Sequence, residues 1–306
     1  MLQNKTFEVI IIGGSYAGLS AALSLGRSLR RVLIIDHKKP CNAPTPHSQN
    51  FLTQDGQTPA AIAALALQQV KAYPSVEFIT AEAVYAEQLG ELMAVKTAAG
   101  DTFYANKLIL ATGIQDVMPD IPGFAAAWGK TVIHCPYCHG YEFRAQSTGI
   151  LANGDKAIHL AGLVHNLSQD LRIFTNGPHS FSEEQRLTLA NAGIPIIEEK
   201  LIALEHRDGL LSAVGLADGR TISLSALYGP IPFVQHSAIP EMLGCALTEV
   251  GHILVDGTQL TSVPHVYACG DNTVAMRSVS QAVATGSAAG AMVNMALIQA
   301  SFGKNS

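Results

Sequence analysis

The sequence predicts an α/β protein built on doubly wound, three-layer parallel sheets, and three observations carry that expectation. An apolar run at residues 7–12 meets a glycine-rich turn, a second strand–turn–helix pattern starts at Thr148, and an apolar strand near the C-terminus delivers Asp271 at its carboxyl end. Strands covered on both faces read as continuous apolar runs, and open α/β sheets bind ligands beyond the carboxyl ends of their strands. The chain has 306 residues, enough for about two domains and a large core.

Residues Phe7 to Ile12 form the first buried strand, and the turn Gly13, Gly14, Ser15, Tyr16, Ala17, Gly18 follows directly. Leu19 to Ser28 has helical spacing, and Val32 to Ile35 makes a second strand ending in Asp36. This is a dinucleotide-binding βαβ unit. Glycines give the tight turn and close approach, helix N–H groups face a pyrophosphate, and a carboxylate at this distance accepts hydrogen bonds from a ribose hydroxyl. Ser15 stands where the fingerprint has its middle glycine; its backbone N–H still serves the pyrophosphate, with a closer fit.

Two strand-like pieces, at residues 76–79 and 92–97, precede a run from Lys107 that ends in Ala111, Thr112 and Gly113. Small residues there let backbone approach a cofactor. A second βαβ pattern starts at Thr148 and continues through Ala152, Asn153 and Gly154, keeping one fingerprint glycine. After its second strand, residues 171–174, comes Thr175, Asn176, Gly177, with no acid or arginine pair for an adenosine ribose or its phosphate. A nucleotide-type fold that binds its nucleotide weakly or not at all stays open on these residues. Val263 to Asp271 reads as a strand, and a helix rich in small residues, from Ser280 through Gly290, aims its N-terminus at the same place.

The chemistry is concentrated in Cys135, Pro136, Tyr137, Cys138, His139 and Gly140. Two cysteines three apart can close a tight disulfide, and a helix N-terminus lowers a thiol pKa. A redox-active disulfide beside a flavin is the leading expectation. Cys-x-x-Cys-His is also the attachment signature of c-type haem, but that needs export, and Met1 to Lys5 shows no basic-then-apolar leader. Zinc would need two more ligands at suitable spacing, whereas Cys41, Cys245 and Cys269 are scattered, so no metal is expected. Two buried structural thiols remain the plain alternative.

Hydrophobic residues make up 48% and charged residues 14% of the chain. The apolar stretch Ala282 to Ala300 is interrupted by Thr285, Ser287, Asn294 and Gln299, so a buried helix is expected there rather than a membrane span. A net charge of -5 leaves no electrostatic footprint for nucleic acid. Arg27, Arg30 and Arg31 close the first helix, where cations complement its dipole. Five cysteines with one close pair fit a reducing cytoplasm.

Across essentially its whole length the chain resembles the low-molecular-weight thioredoxin reductases, with the motifs in that family's order. Gly13 to Gly18 with Asp36 resembles the FAD fingerprint, Ala111 to Gly113 the domain-crossing segment, and Cys135 to Gly140 the redox motif. Gly270 and Asp271 resemble the second flavin motif, and Gln281 and Ala282 the start of the last helix. The resemblance implies two Rossmann-like domains: an FAD domain from 1–117 and 236–306, split by an NAD(P)H-type domain, 118–235, that carries the disulfide. It implies a homodimer, FAD as cofactor, and NADPH or NADH as electron donor. A thioredoxin-like protein or a small dithiol or disulfide is the implied partner.

The chain also departs from those reductases. His139 stands where they place an aspartate, and both their full second fingerprint and their basic NADPH residues are missing. The motif is similar to that of the gliotoxin and holomycin dithiol oxidases, which pass electrons from a small dithiol through FAD to oxygen. The family implies that Cys138 lies against the flavin while Cys135 meets the substrate sulfur. His139 is the expected acid and base, because imidazole titrates near neutral pH. His134 and His236 are weaker candidates, Cys269 is expected to be a buried apolar residue, and Asn50 is expected at the flavin ring by similarity of its segment. A flavin-bound redox sensor that does not turn over is the non-enzyme alternative.

Overall fold

The computed structural model describes residues 6–302. The first sheet has the strand order 76–80, 32–36, 6–12, 102–110, 92–97, 83–89, with 266–268 paired beside 102–110. Its core strands are parallel and in register, Ile12 against Ile35 on one side and Leu110 on the other, and Leu110 against Ala268 beyond. Their carboxyl ends therefore stop on one line, and Gly13, Asp36, Ala111 and Cys269 leave the sheet together. Val9, Ile11, Ile34 and Ile109 are wholly buried beneath the helices, and Ile10, Leu33, Leu108 and Leu110 fill the opposite face. Strand Thr102–Leu110 pairs in its first half with the antiparallel strand Leu92–Thr97, and in its second half with Val266–Ala268.

Three helices cover one face, the second, Pro59–Lys71, adding Ile62 and Val70 to the core. The first, Tyr16–Arg27, starts three residues earlier than the apolar spacing suggests, because Tyr16, Ala17 and Gly18 are themselves buried in its first turn. The last, Val279–Phe302, runs 24 residues and joins both C-terminal helical stretches into one. By length and composition it could cross a membrane; here its face of Ala282, Gly286, Ala289, Gly290 and Val293 is buried, and Ser20 donates to its Val283 carbonyl at 2.7 Å. A methyl on Gly286 would lie 2.1 Å from the Ala17 carbonyl oxygen, so glycine lets the helices touch backbone to backbone. The strand expected over 263–271 is only Val266–Ala268, since Pro264 offers no N–H and His265 is left-handed at φ 70°. Helix Pro59–Lys71 and strand Ala83–Leu89 carried no recognised signal.

The chain leaves this sheet through Ile114–Asp116 and returns through Phe233–Gln235, which pair antiparallel as a two-stranded ribbon. Between them lies a five-stranded parallel sheet, ordered 196–197, 171–174, 148–151, 226–228, 132–133, with a three-stranded antiparallel sheet of 201–207, 210–216 and 221–223 beside it. His134 and then Cys135 follow the edge strand Val132–Ile133.

Candidate active site

A cavity of about 640 Å³ opens along the carboxyl ends of the first sheet and reaches the inserted unit. At one end it is lined by Gly13, Gly14, Ser15, Tyr16 and Ala17, with Asp36 beside them. The Gly13 φ of 104° turns the chain sharply, and its missing side chain lets Ala111 come close: a methyl would stand 2.1 Å from the Ala111 oxygen. Ser15 caps the first helix without a side-chain hydrogen bond, which leaves the first-turn N–H groups to an anion. Asp36 accepts from the Gly14 N–H at 2.9 Å and the Lys38 N–H at 3.2 Å and still faces the cavity. That donor and acceptor set fits a dinucleotide: N–H groups for pyrophosphate, a carboxylate for ribose.

The far end brings together Ala111, Thr112, Gly113, Gly270, Asp271 and Ala282 with Cys138 and His139. Gln281 lies next to that wall, its N–H donating to Ser278 Oγ, and Gly18 lies beneath the turn, packed on Gly13. Asn50 is exposed, left-handed at φ 59°, and donates its N–H to Asp55; Ser48 and Gln49 line the cavity instead. Asn50, expected at the flavin ring, is thus exposed and does not line this cavity, the turn at 50 being left-handed.

Cys135 caps the single helical turn Pro136–His139, and the two sulfurs are 2.7 Å apart. Cys138 faces the cavity and Cys135 does not line it. The hydrogen bond from Cys138 pulls the Cys135 thiol down to about 7, against burial; as the donor of that bond, and being buried, Cys138 is pushed up. A turn of four residues has little dipole, so the low thiol owes more to its sulfur neighbour than to a helix N-terminus. Burial lowers His139, leaving its imidazole neutral near neutral pH and open to a proton.

Further residues complete the site, of which Trp128, Asp116 and Arg277 carried no sequence signal. His134 stacks on Trp128 with ring centroids 5.9 Å apart, and burial, aided by Arg277, lowers it to about 4. Trp128 donates to Asp116 at 3.1 Å, and Arg277 grips both Asp116 oxygens at 2.7 and 3.2 Å. Cys41 approaches Asp271 at 3.7 Å, its thiol pushed up to about 11 by burial and the Asp271 charge. His236 sits 3.0 Å from His37, Nε2 to Nε2, and is lowered by burial and that neighbour. Cys269 is fully buried, its thiol pushed up to about 12. No group of three metal-ligating side chains occurs among the described residues.

In the second βαβ unit, helix Gly154–His165 begins under its own cap. Asn153 Oδ1 accepts from the Gly154 N–H and the Ser180 N–H, both at 2.9 Å, and its Nδ2 donates to the Pro178 carbonyl at 3.0 Å. Asp155 adds a carboxylate in that first turn. Asn153 thus caps this helix start with its own side chain.

Residues 7–286 match the family model described as pyridine nucleotide-disulphide oxidoreductase. The thioredoxin reductase tcpT of Claviceps purpurea is 31% identical, over 97% of this chain and 96% of its own. Among solved structures, an oxidoreductase from Agrobacterium tumefaciens is 35% identical at a TM-score of 0.91, covering 96% of this chain and 99% of that one. HlmI is 34% identical at 0.92, covering 98% and 95%.

Proposed function

The chain belongs to the pyridine nucleotide-disulphide oxidoreductase family, and from that premise we propose that Cys135 and Cys138 form the redox pair that this FAD-dependent enzyme cycles against sulfur substrates. One observation carries the reading: Cys138 and His139 stand in the wall of the same cavity as the Gly13–Ala17 turn, Asp36 and Asp271. Bound FAD supplies two-electron acceptance and return. The chain's own residues do the rest. Gly13 to Ala17 would orient the FAD pyrophosphate, Asp36 would hold its adenosine ribose, and Asp271 with Ala111 to Gly113 would hold its far end. Gly270, Gln281 and Ala282 build the helix entry beside them. Cys138 would face the cofactor; Cys135, more readily ionised, attacks one sulfur of a disulfide substrate and expels the other as thiolate, or, with the pair oxidised, is attacked by a dithiol's thiolate so that Cys138 leaves. His139 takes and returns the thiol proton. On this reading 1–117 and 236–306 form the cofactor domain, 118–235 the inserted one, and the enzyme works as a cytoplasmic homodimer.

A thioredoxin-like protein is one partner this reading admits. The reduced second fingerprint, Ala152, Asn153 and Gly154, and the lack of an acid or arginine pair at Thr175 to Gly177 favour another, in which a small dithiol brings the electrons and oxygen takes them. Missing two charge-assisted phosphate contacts of about 1.5–3 kcal/mol each weakens NADPH binding by roughly a hundred-fold or more. Anaerobic mixing with NADPH, NADH and a small dithiol in turn, followed by flavin absorbance, tests this. Bleaching by the dithiol and slow bleaching by NADPH are expected. Rapid, saturable reduction at micromolar NADPH would overturn the donor assignment, and no bleaching by any donor would overturn the redox reading.

A further inference from the structure

His37 and His236 meet at the wall of the cavity, and both line it. Their Nε2 atoms are 3.0 Å apart, with the ring planes nearly perpendicular at 84°. His37 directly follows Asp36, and His236 directly follows the return strand Phe233–Gln235, its N–H reaching the Gly113 carbonyl at 3.4 Å. The contact therefore ties the strand end that carries Asp36 to the segment that carries Gly113. A neutral imidazole has one ring nitrogen that donates and one that accepts. Two facing nitrogens this close need one hydrogen between them, because none opposes two lone pairs and two oppose two N–H groups. Imidazolium donates from both nitrogens, so two charged rings cannot keep the contact.

We propose that His37 and His236 form a proton-sharing clasp at the adenosine end of the cavity, closed while one hydrogen lies between the rings and opened when acid gives each ring its own, so that cofactor retention follows pH. The proposal rests on the reading of the cavity as an FAD site. Burial lowers His236, and the His37 and Lys39 charges add to it; a hydrogen bond to the Ile114 backbone and the Glu82 charge oppose them. Asp36 and Lys38 flank His37 in sequence and share the cavity wall. A ring lowered in this way stays neutral at neutral pH. The clasp is complete above the ordinary imidazole value of about 6.5 and is lost as pH falls below it.

The test equilibrates holoenzyme between about pH 5 and about pH 8 and reads released flavin by its fluorescence after ultrafiltration. Native protein should hold flavin up to roughly tenfold more weakly per pH unit on the acid side, the slope of one extra proton in the open form. His37→Gln and His236→Gln should hold it almost evenly, since an amide can donate to or accept from the remaining ring in either state. His134 and His139 are intact in every variant, so their titration cancels in the comparison. Glutamine variants with the native acid slope, or a native protein with no slope, would overturn the proposal. Long-range proton–nitrogen NMR of histidine-labelled protein reads the clasp apart from flavin: near pH 8 one Nε2 should carry hydrogen and the other none, and two alike would also overturn it. The underlying reading fails differently. A native protein that holds no flavin near pH 8, with the two nitrogens still unlike, would remove the FAD site and the retention role together.

Discussion

Replacing Gly18 by alanine would test how the cofactor end of the cavity is built. The new methyl would lie 1.9 Å from the Gly13 carbonyl oxygen, 3.0 Å from its carbon and 3.3 Å from Ile11 Cγ2. Non-bonded heavy atoms settle near roughly 3.5 Å, so the first helix must retreat by roughly 1.5 Å or the Gly13 peptide must rotate. Overpacking of this kind costs about 1–3 kcal/mol. A retreating helix also withdraws its first-turn N–H groups from the wall. At about 1.4 kcal/mol per tenfold, the same cost corresponds to roughly ten- to hundred-fold weaker flavin retention. Gly162 is the control, since a methyl there meets nothing within 4 Å in an exposed helix interior. Gly162→Ala should stabilise by about 0.5–1 kcal/mol and leave the flavin alone. The measurements are flavin absorbance per protomer after gel filtration and thermal melting. A Gly18→Ala protein with native flavin content and native melting would refute the argument.

Further outcomes follow from the thiols and imidazoles. Cys135→Ser should leave Cys138 beside oxidised flavin and give a long-wavelength absorbance band that fades as pH falls through its thiolate pKa, while Cys138→Ser gives none; the same band in both, or in neither, reverses the roles. His139→Ala should slow turnover by roughly 10²–10⁴-fold and barely move the thiolate midpoint, because burial keeps that ring neutral. A large upward shift would instead show an imidazolium at work. His134 titrates near 4 in the fold and 6.5 when exposed, so the unfolded chain binds the extra proton between those values. The contribution of His134 is complete above pH 6.5 and is lost as pH falls to 4, by up to about 3 kcal/mol. His134→Phe should flatten that part of the melting profile, and an unchanged slope would contradict the burial argument.

The cofactor turn, Asp36, the second strand and the paired cysteines were legible because each is local: a glycine spacing, an apolar run, a carboxylate at its end. Gln49 and Asn50 show where that legibility stops, since a left-handed turn at 50 decides which side chain faces in. Asp116, Trp128 and Arg277 had no sequence signal at all. They are single residues from three distant segments, and only the fold's closure puts two guanidinium nitrogens and an indole N–H on one carboxylate. The capped start of the second nucleotide-type helix was half legible. The missing glycines could be read, but Asn153 turning its own amide over the helix start could not.

The short strand Val266–Ala268 and the helix after it complete a sheet that the N-terminus begins. During synthesis the first strands must therefore wait while the whole insertion emerges, with Leu108 and Ile109 lacking a neighbour on their outer edge. The inserted unit has all its own strands in sequence and can fold first, whereas the cofactor unit is dominated by the slowest, longest-range pairing in the chain. Flavin capture belongs to the final stage of folding, and a chain interrupted before residue 266 would display the apolar face of its first helix to solvent.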